Sequence, residues 1–250
     1  MTAFPLIAII IFYLWFLDAV MILAVFLLPY DKLELWLDKA IPRWSRRILG
    51  FIGLYTGKRI RLHKPNLSQL PDHFVLISNH QSLIDILVLF AMFPQHPLRF
   101  VGKNSLKFGF PGVTRALRLG RHAFVSQHGD PVGSINAVRV FSRRCVQRKK
   151  CPVIFPEGSR SRDGNIREFK TGGFRTIADG TNLPIVAVAL DGGYMMASIK
   201  DMASNGFSNY RSALVKVYDP PKGKQETAVV LADANQRTAA VLDAWRTRPA

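Results

Sequence analysis

Residues 2–29, TAFPLIAIIIFYLWFLDAVMILAVFLLP, form one apolar run broken by a single ionisable residue, Asp18. A helix of roughly 20 such residues crosses the hydrocarbon layer of a bilayer, so the run predicts a membrane-anchoring helix before anything else about the chain is argued. It has neither the positive charge ahead of it nor the small-residue cleavage site behind it that mark a removable leader, and it is expected to stay attached. Asp18 is costly in mid-segment and has to face protein, water or an interface. Lys32, Lys39, Arg43, Arg46 and Arg47 follow closely. Under the positive-inside rule they predict a cell (inner) membrane location with the C-terminal bulk on the cytoplasmic side. Residues 33–54 are more amphipathic and carry Trp36 and Trp44. They read either as a second helix in the interface plane, broken near Pro42, or as a linker whose aromatic residues pack on a soluble domain. Whether the first segment spans the bilayer or lies in one leaflet as half of a helix pair stays open.

Beyond about residue 60, short apolar runs alternate with longer helical patterns. The strand candidates are 74–78, 98–101, 122–126, 152–155, 185–190 and 213–218. Helix candidates are 83–93, 112–119, 132–147, 173–179 with Gly180 as C-cap, and a terminal helix over 225–245. Such alternation predicts an α/β fold with a mostly parallel central sheet flanked by helices, joined to the N-terminal membrane-anchoring segment. The division expected is 1–57 for the anchor and 58–250 for one catalytic domain. Lys and Arg number 34 against 17 Asp and Glu, a formal charge of +17. That balance points to an anionic partner: lipid head groups, a phosphorylated substrate or nucleic acid. Cys145 and Cys151 have no CxxC spacing and no nearby histidine, so they read as reduced thiols and no metal site is expected.

Two runs carry chemistry. In Asn79-His80-Gln81-Ser82-Leu83-Ile84-Asp85, a histidine leaves a strand and a carboxylate follows five positions later. Neutral imidazole accepts a proton near pH 7, and a carboxylate on its other nitrogen fixes the tautomer and stabilises the imidazolium. The same letters also read as a helix start, with Ser82 as N-cap and Asp85 in the first turn. The second run, Phe155-Pro156-Glu157-Gly158-Ser159-Arg160-Ser161, follows another strand. Gly158 allows the backbone close to a ligand and Arg160 offers a planar fork to a phosphate; a surface turn with solvated charges is the plainer reading. Ligands of open α/β sheets collect beyond the carboxyl ends of strands, so one crevice can hold both runs.

Together the runs closely resemble the glycerophospholipid acyltransferase family, which contains the 1-acyl-glycerol-3-phosphate acyltransferases. Its N-H-x4-D motif is matched by Asn79, His80 and Asp85, and its F-P-E-G-[ST]-R-S motif by Phe155 to Ser161; the likeness covers roughly residues 60–215. The resemblance implies acyl transfer from an acyl-CoA or acyl carrier protein thioester to the hydroxyl of a lysophospholipid, most simply 1-acyl-sn-glycerol-3-phosphate. In that scheme His80 is the base, Asp85 orients it, and Lys103, Glu157, Gly158 and Arg160 bind the acceptor. The donor is a substrate, no cofactor is implied, and the partners are membrane lipids rather than nucleic acid. Lys170-Thr171 resembles the segment after the second run and reads as a helix start with Thr171 as cap. Residues 183–188 resemble a further family strand and are assigned to core and acyl-chain wall.

One departure concerns the head group. Where the family carries an Asp-Arg pair after a strand, this chain has Ser126-Gln127, so one phosphate ligand is missing and a different lysolipid head group becomes an alternative. His122, beside Arg121, reads as a solvated or locally bonded imidazole, and the other histidines have no ligand spacing. Gly-x-Ser-x-Gly, Walker, HExxH and GxGxxG patterns are absent. The rival from another class is a non-catalytic basic membrane protein that binds anionic lipid or nucleic acid.

Overall fold

In the computed structural model, which describes residues 4–56, 60–62, 70–109, 111–126, 130–196 and 209–247, the short apolar runs become one seven-stranded sheet. Its strands are β1 (Ile60–Leu62), β2 (Val75–Ser78), β3 (Leu98–Lys103), β4 (Ala123–Val125), β5 (Cys151–Ile154), β6 (Ile185–Asp191) and β7 (Tyr210–Tyr218), in the order β1-β7-β6-β2-β5-β3-β4. The five strands from β6 to β4 are parallel, β7 runs antiparallel to β6, and β1 pairs parallel with β7. The sheet is mostly parallel, as expected. β1 is absent from the sequence reading, and β7 begins three residues earlier than the apolar run at Ala213 indicates.

Successive side chains in a strand point to opposite faces, and the central strands are apolar on both. Phe74, Leu76, Val186, Val188 and Leu190 join one core cluster with α3 (Ile84–Met92). Val75, Ile77, Ile185 and Ala187 join a second cluster. That one is closed by α5 (Pro131–Gln147), α6 (Thr171–Thr181) and the terminal α7 (Gly223–Thr247). All seven β6 residues are buried, which gives residues 185–190 a core role. Cys151 opens β5 with its side chain in the core, and both thiols are free and buried.

The apolar N-terminus is α1 (Phe4–Leu27), and within it Pro5–Leu27 is long and apolar enough to cross a membrane. It is followed by α2 (Tyr30–Thr56), which contains Pro42 without breaking. The expected break is therefore corrected: proline removes one donor, and the packing of α2 along its length holds the helix together. Ile48, Leu49 and Ile52 of α2 and Leu6 of α1 enter the core over α3. Near its start α2 is held by charge. Arg99 reaches Glu34 (3.0 Å) and Asp38 (2.7 Å), Arg148 reaches Asp31 (2.6 Å), and Lys150 reaches Asp38 (2.6 Å).

Asp18 finds protein. Its Oδ1 accepts from Arg115 Nε at 2.9 Å and from the Gly112 amide at 3.0 Å, and its Oδ2 accepts from Arg115 Nη2 at 3.2 Å. Arg115 belongs to α4 (Val113–Leu119). A Cβ on Gly112 (φ +72°) would stand 2.7 Å from the Leu14 carbonyl, so glycine lets α4 press against α1. Two caps differ from expectation. Gly180 lies inside α6, which ends instead on Asn182 in the left-handed region. Thr171 is the first helical residue of α6, and Lys170 occupies the cap position without a side-chain bond.

Candidate active site

His80 stands just past β2, and its Nδ1 lies 2.8 Å from Asp85 Oδ2. The carboxylate has no solvent exposure. Oδ2 also accepts the backbone amides of Gln81 (2.6 Å) and Ser82 (2.8 Å), while Oδ1 accepts the Tyr210 hydroxyl (2.7 Å). Acceptor-only Oδ2 makes His80 Nδ1 the donor, which leaves Nε2 as the unprotonated ring nitrogen in the neutral imidazole. No described residue bonds Nε2. Phe155 stacks on the ring at 3.9 Å between centroids and fixes its plane.

This geometry refines the helix-cap reading, with Asp85 in the first turn as expected and the cap position at Leu83 rather than Ser82. The helix starts at Ile84, and Leu83, in the cap position, makes no side-chain bond. Ser82 Oγ does accept the Ile84 amide at 3.4 Å, while Asp85 folds back and satisfies the amides of residues 81 and 82, so the serine and the carboxylate build the turn together. Asn79 and Gln81 complete it. The Asn79 amide group bonds both the N–H (2.8 Å) and the C=O (2.7 Å) of Leu190, which ties the exit of β2 to β6. Gln81 accepts from Gly193 N (2.9 Å) and donates to Asp191 (3.1 Å). Asp191 in turn takes Arg246, near the end of α7, at 2.7 Å.

The two motifs are clasped through their backbones. Glu157 Oε1 accepts the His80 amide at 2.7 Å, and the Ser161 amide donates to the His80 carbonyl at 2.7 Å. Glu157 Oε2 accepts the Arg167 amide at 3.3 Å. Glu157 is 2 % exposed. Both oxygens are engaged with backbone amides, so Glu157 braces the His80 backbone. Burial raises its carboxyl to about 7, against the pull of the His80 and Arg167 amides.

Gly158 is exposed with φ +73°, and Lys170 lies alongside, 3.7 Å from where a Cβ would be. Arg160 is half-buried and Lys103 exposed, and neither has a partner among the described residues. Since β3, β5 and β2 are adjacent and parallel, Lys103, the 157–161 turn and His80 lie along one carboxyl edge, with strands about 4.8 Å apart. Ser126 follows β4 on the same edge, and Gln127 lies outside the described residues. His122 is buried rather than solvated; its Nδ1 accepts the Phe100 amide at 2.9 Å, and burial pushes its pKa well down.

A carboxylate-oriented histidine with one free nitrogen is the arrangement of a general base, in the class of α/β proteins that gather ligands at the carboxyl edge of the sheet. Known proteins narrow the class. The acyltransferase family model matches residues 59–191, and the chain belongs to that family. It is similar to the chloroplastic 1-acyl-sn-glycerol-3-phosphate acyltransferase of Brassica napus, at 30% identity over 163 residues, 64% of this chain and 44% of that protein. The corresponding Arabidopsis thaliana enzyme is 28% identical over 196 residues, 77% of this chain and 51% of that protein. The human beta form is 27% identical over 134 residues, 54% and 47% respectively. The chain thus spans about half the length of these relatives. The crystal structure of PlsC, the 1-acyl-sn-glycerophosphate (LPA) acyltransferase of Thermotoga maritima, superposes with a TM-score of 0.76 at 18% identity, covering 98% of this chain and 95% of that one. This last likeness establishes the fold.

Sequence reading missed Tyr210, Gln81, Asp191 and Arg246 as parts of the site. Gln81 stands inside the 79–85 run itself, whereas Tyr210, Asp191 and Arg246 carry no local signal because each meets the site through the fold.

Glu157 gives a pH test. A carboxyl whose folded value lies above its ordinary 4.5, at about 7, binds more protons folded than unfolded between those limits. Its contribution to stability therefore falls as pH rises from about 4.5 to about 7 and is level above. Glu157→Gln cannot ionise, and melting temperatures across that interval should decline less in the variant than in the parent. Superimposed pH–Tm curves would show that Glu157 does not titrate there.

Proposed function

We propose that the protein moves a fatty acyl group from an acyl-CoA or acyl carrier protein thioester to the free hydroxyl of 1-acyl-sn-glycerol-3-phosphate, giving phosphatidic acid at a membrane surface. The observation that carries this reading is the 2.8 Å contact of His80 Nδ1 with the buried Asp85 carboxylate, in a chain of the acyltransferase family. It is supported by the relatives named for that activity.

His80 Nε2 takes the proton of the acceptor hydroxyl as its oxygen attacks the thioester carbonyl. A carbon–oxygen bond forms, the tetrahedral adduct expels the thiolate, and the proton on His80 passes to the leaving sulfur. Asp85 holds the tautomer and balances the imidazolium charge between the two transfers. No enzyme-bound acyl group is needed. Arg160 and Lys103 supply positive charge for the acceptor phosphate, Arg160 by a bidentate fork, and Gly158 admits the acceptor close to the backbone.

Ser126 after β4, where the family pattern has an acid followed by arginine, favours a second reading in which the acceptor carries another head group. A panel of lysolipids assayed with one donor separates the two. Thiol release should require 1-acyl-sn-glycerol-3-phosphate and yield phosphatidic acid. Arg160→Ala should raise KM for that acceptor roughly tenfold or more while leaving KM for the donor near the parent value. Equal effects on both substrates would remove Arg160 as the phosphate ligand, and turnover only with another lysolipid would favour the second reading.

For the anchor, we propose that α1 lies in one leaflet with α2, the sheet domain facing the cytoplasm from the inner membrane. Asp18, in the middle of α1, is bonded to Arg115 and Gly112 of the sheet domain, and a spanning α1 would carry that contact into the bilayer centre, where charge is expensive. Phe12, Trp15, Phe16, Leu23 and Phe26 remain exposed for lipid. Pro5→Cys and Lys32→Cys, near the two ends of α1, test this in sealed vesicles. A membrane-impermeant maleimide should label both from the same side, against a low background because Cys145 and Cys151 are buried and burial raises their thiols to about 12 and about 11. Labelling from opposite sides would establish a span.

A further inference from the structure

The topology explains how Tyr210 reaches Asp85. The parallel strands end at the catalytic edge, and β7, antiparallel to β6, begins there, with Arg211 opposite Asp191 in the register. Tyr210 is therefore the first β7 residue at the edge where the parallel strands finish. Its ring joins the core cluster that contains α3, and its hydroxyl lies 2.7 Å from Asp85 Oδ1, with both residues fully buried. The backbone is held tightly there. Gly192 (φ +98°) lets the chain pass where a Cβ would stand 2.6 Å from the Asn209 carbonyl, and a Cβ on Gly193 would stand 2.7 Å from Asp85 Oδ1.

We propose that Tyr210 is a positioning residue of the catalytic pair, its hydroxyl donating to Asp85 Oδ1 so that Oδ2 stays aimed at His80 and the strength of the carboxylate as an acceptor is set. The inference rests on the assignment of His80 as base. A donor on Oδ1 draws charge away from Oδ2, so Oδ2 stabilises an imidazolium less than a carboxylate without that donor would. Burial and the Asp85 charge hold the phenol well above its ordinary range, so it remains a donor at every working pH. The charged groups around the pair are Glu157 from the turn after β5, Asp191 at the end of β6 with Arg246 of α7, and Arg167, whose amide bonds Glu157. None of them contacts Oδ1, which Tyr210 alone bonds among the described residues.

The test uses the full-length protein with acyl-CoA and 1-acyl-sn-glycerol-3-phosphate. Tyr210→Phe keeps the ring and removes the donor. The acid limb of its pH–kcat/KM profile should move to higher pH by about one unit or less, the order of a single hydrogen bond to the charged form, and kcat near pH 7 should fall roughly tenfold with the donor KM unchanged. Incorporating 3-fluorotyrosine at position 210 keeps both shape and hydroxyl while strengthening the donor, and it should move the limb the opposite way, to lower pH. Melting temperatures report folding, and the fluorinated protein tests the idea even where Tyr210→Phe does not fold. Limbs that stay at the parent pH in the folded variants, or that move the same way in both, would overturn the proposal while leaving His80 as base intact. A parent protein with no acceptor-dependent turnover would instead sink the functional reading itself.

Discussion

A carboxylate with no exposure to water, Asp85, lies one hydrogen bond from His80. Burying an unpaired carboxylate costs several kcal/mol, and the cost is offset only when hydrogen bonds and charge satisfy it. Four donors meet the two oxygens, and they come from a strand exit, a helix-leading turn and the start of an antiparallel strand. Each donor needs a structural reason to be there. The Asn79 clasp on Leu190 sets where β2 ends, the reversal of β7 brings Tyr210 to the catalytic edge, and Gly193 leaves room beside Oδ1. Glu157 and Ser161 hold the same histidine through its backbone. The two motifs are therefore one mechanical unit, the second bracing the backbone of the first.

The same reasoning explains how a chain with a charge of +17 spends its few acids. Asp31, Glu34 and Asp38 meet Arg99, Arg148 and Lys150 and fasten α2 to the sheet, and Asp18 meets Arg115 and fastens α1. Pairs such as Arg99 with Glu34 are largely desolvated, so removing one partner is more damaging than the pair is stabilising. Glu34, Asp85, Glu157 and Asp191 thus work inside the molecule, while Lys32, Lys39, Arg43, Arg46 and Arg47 stay exposed along α2.

Much of this was legible in the sequence because it is local or periodic. The apolar strands and the alternation with helices led directly to the parallel sheet, and the spacing of His80 and Asp85 predicted a contact that exists. What escaped depends on the fold. Tyr210 stands ahead of the apolar run that marked β7, so nothing nearby announces that it will meet a residue 125 positions earlier. Glu157 looks like one more charge in an exposed turn, and only the fold shows it buried with an oxygen on each of two backbone amides. Ser82 has the letters of a cap and takes the Ile84 amide, while Asp85 satisfies two further amides that the letters do not announce. Pro42 has a breaker's chemistry, and the neighbours of α2 override it.

The central claim is that His80, oriented by Asp85, activates the acceptor hydroxyl directly. Its most direct test is the rate of acceptor-dependent thiol release in His80→Ala and Asp85→Asn, each checked for an unchanged melting profile. The account predicts a loss of roughly 10²- to 10⁴-fold in kcat for both, with Asp85→Asn failing because an asparagine no longer enforces the productive tautomer. Folded variants that release thiol at the parent rate would contradict it.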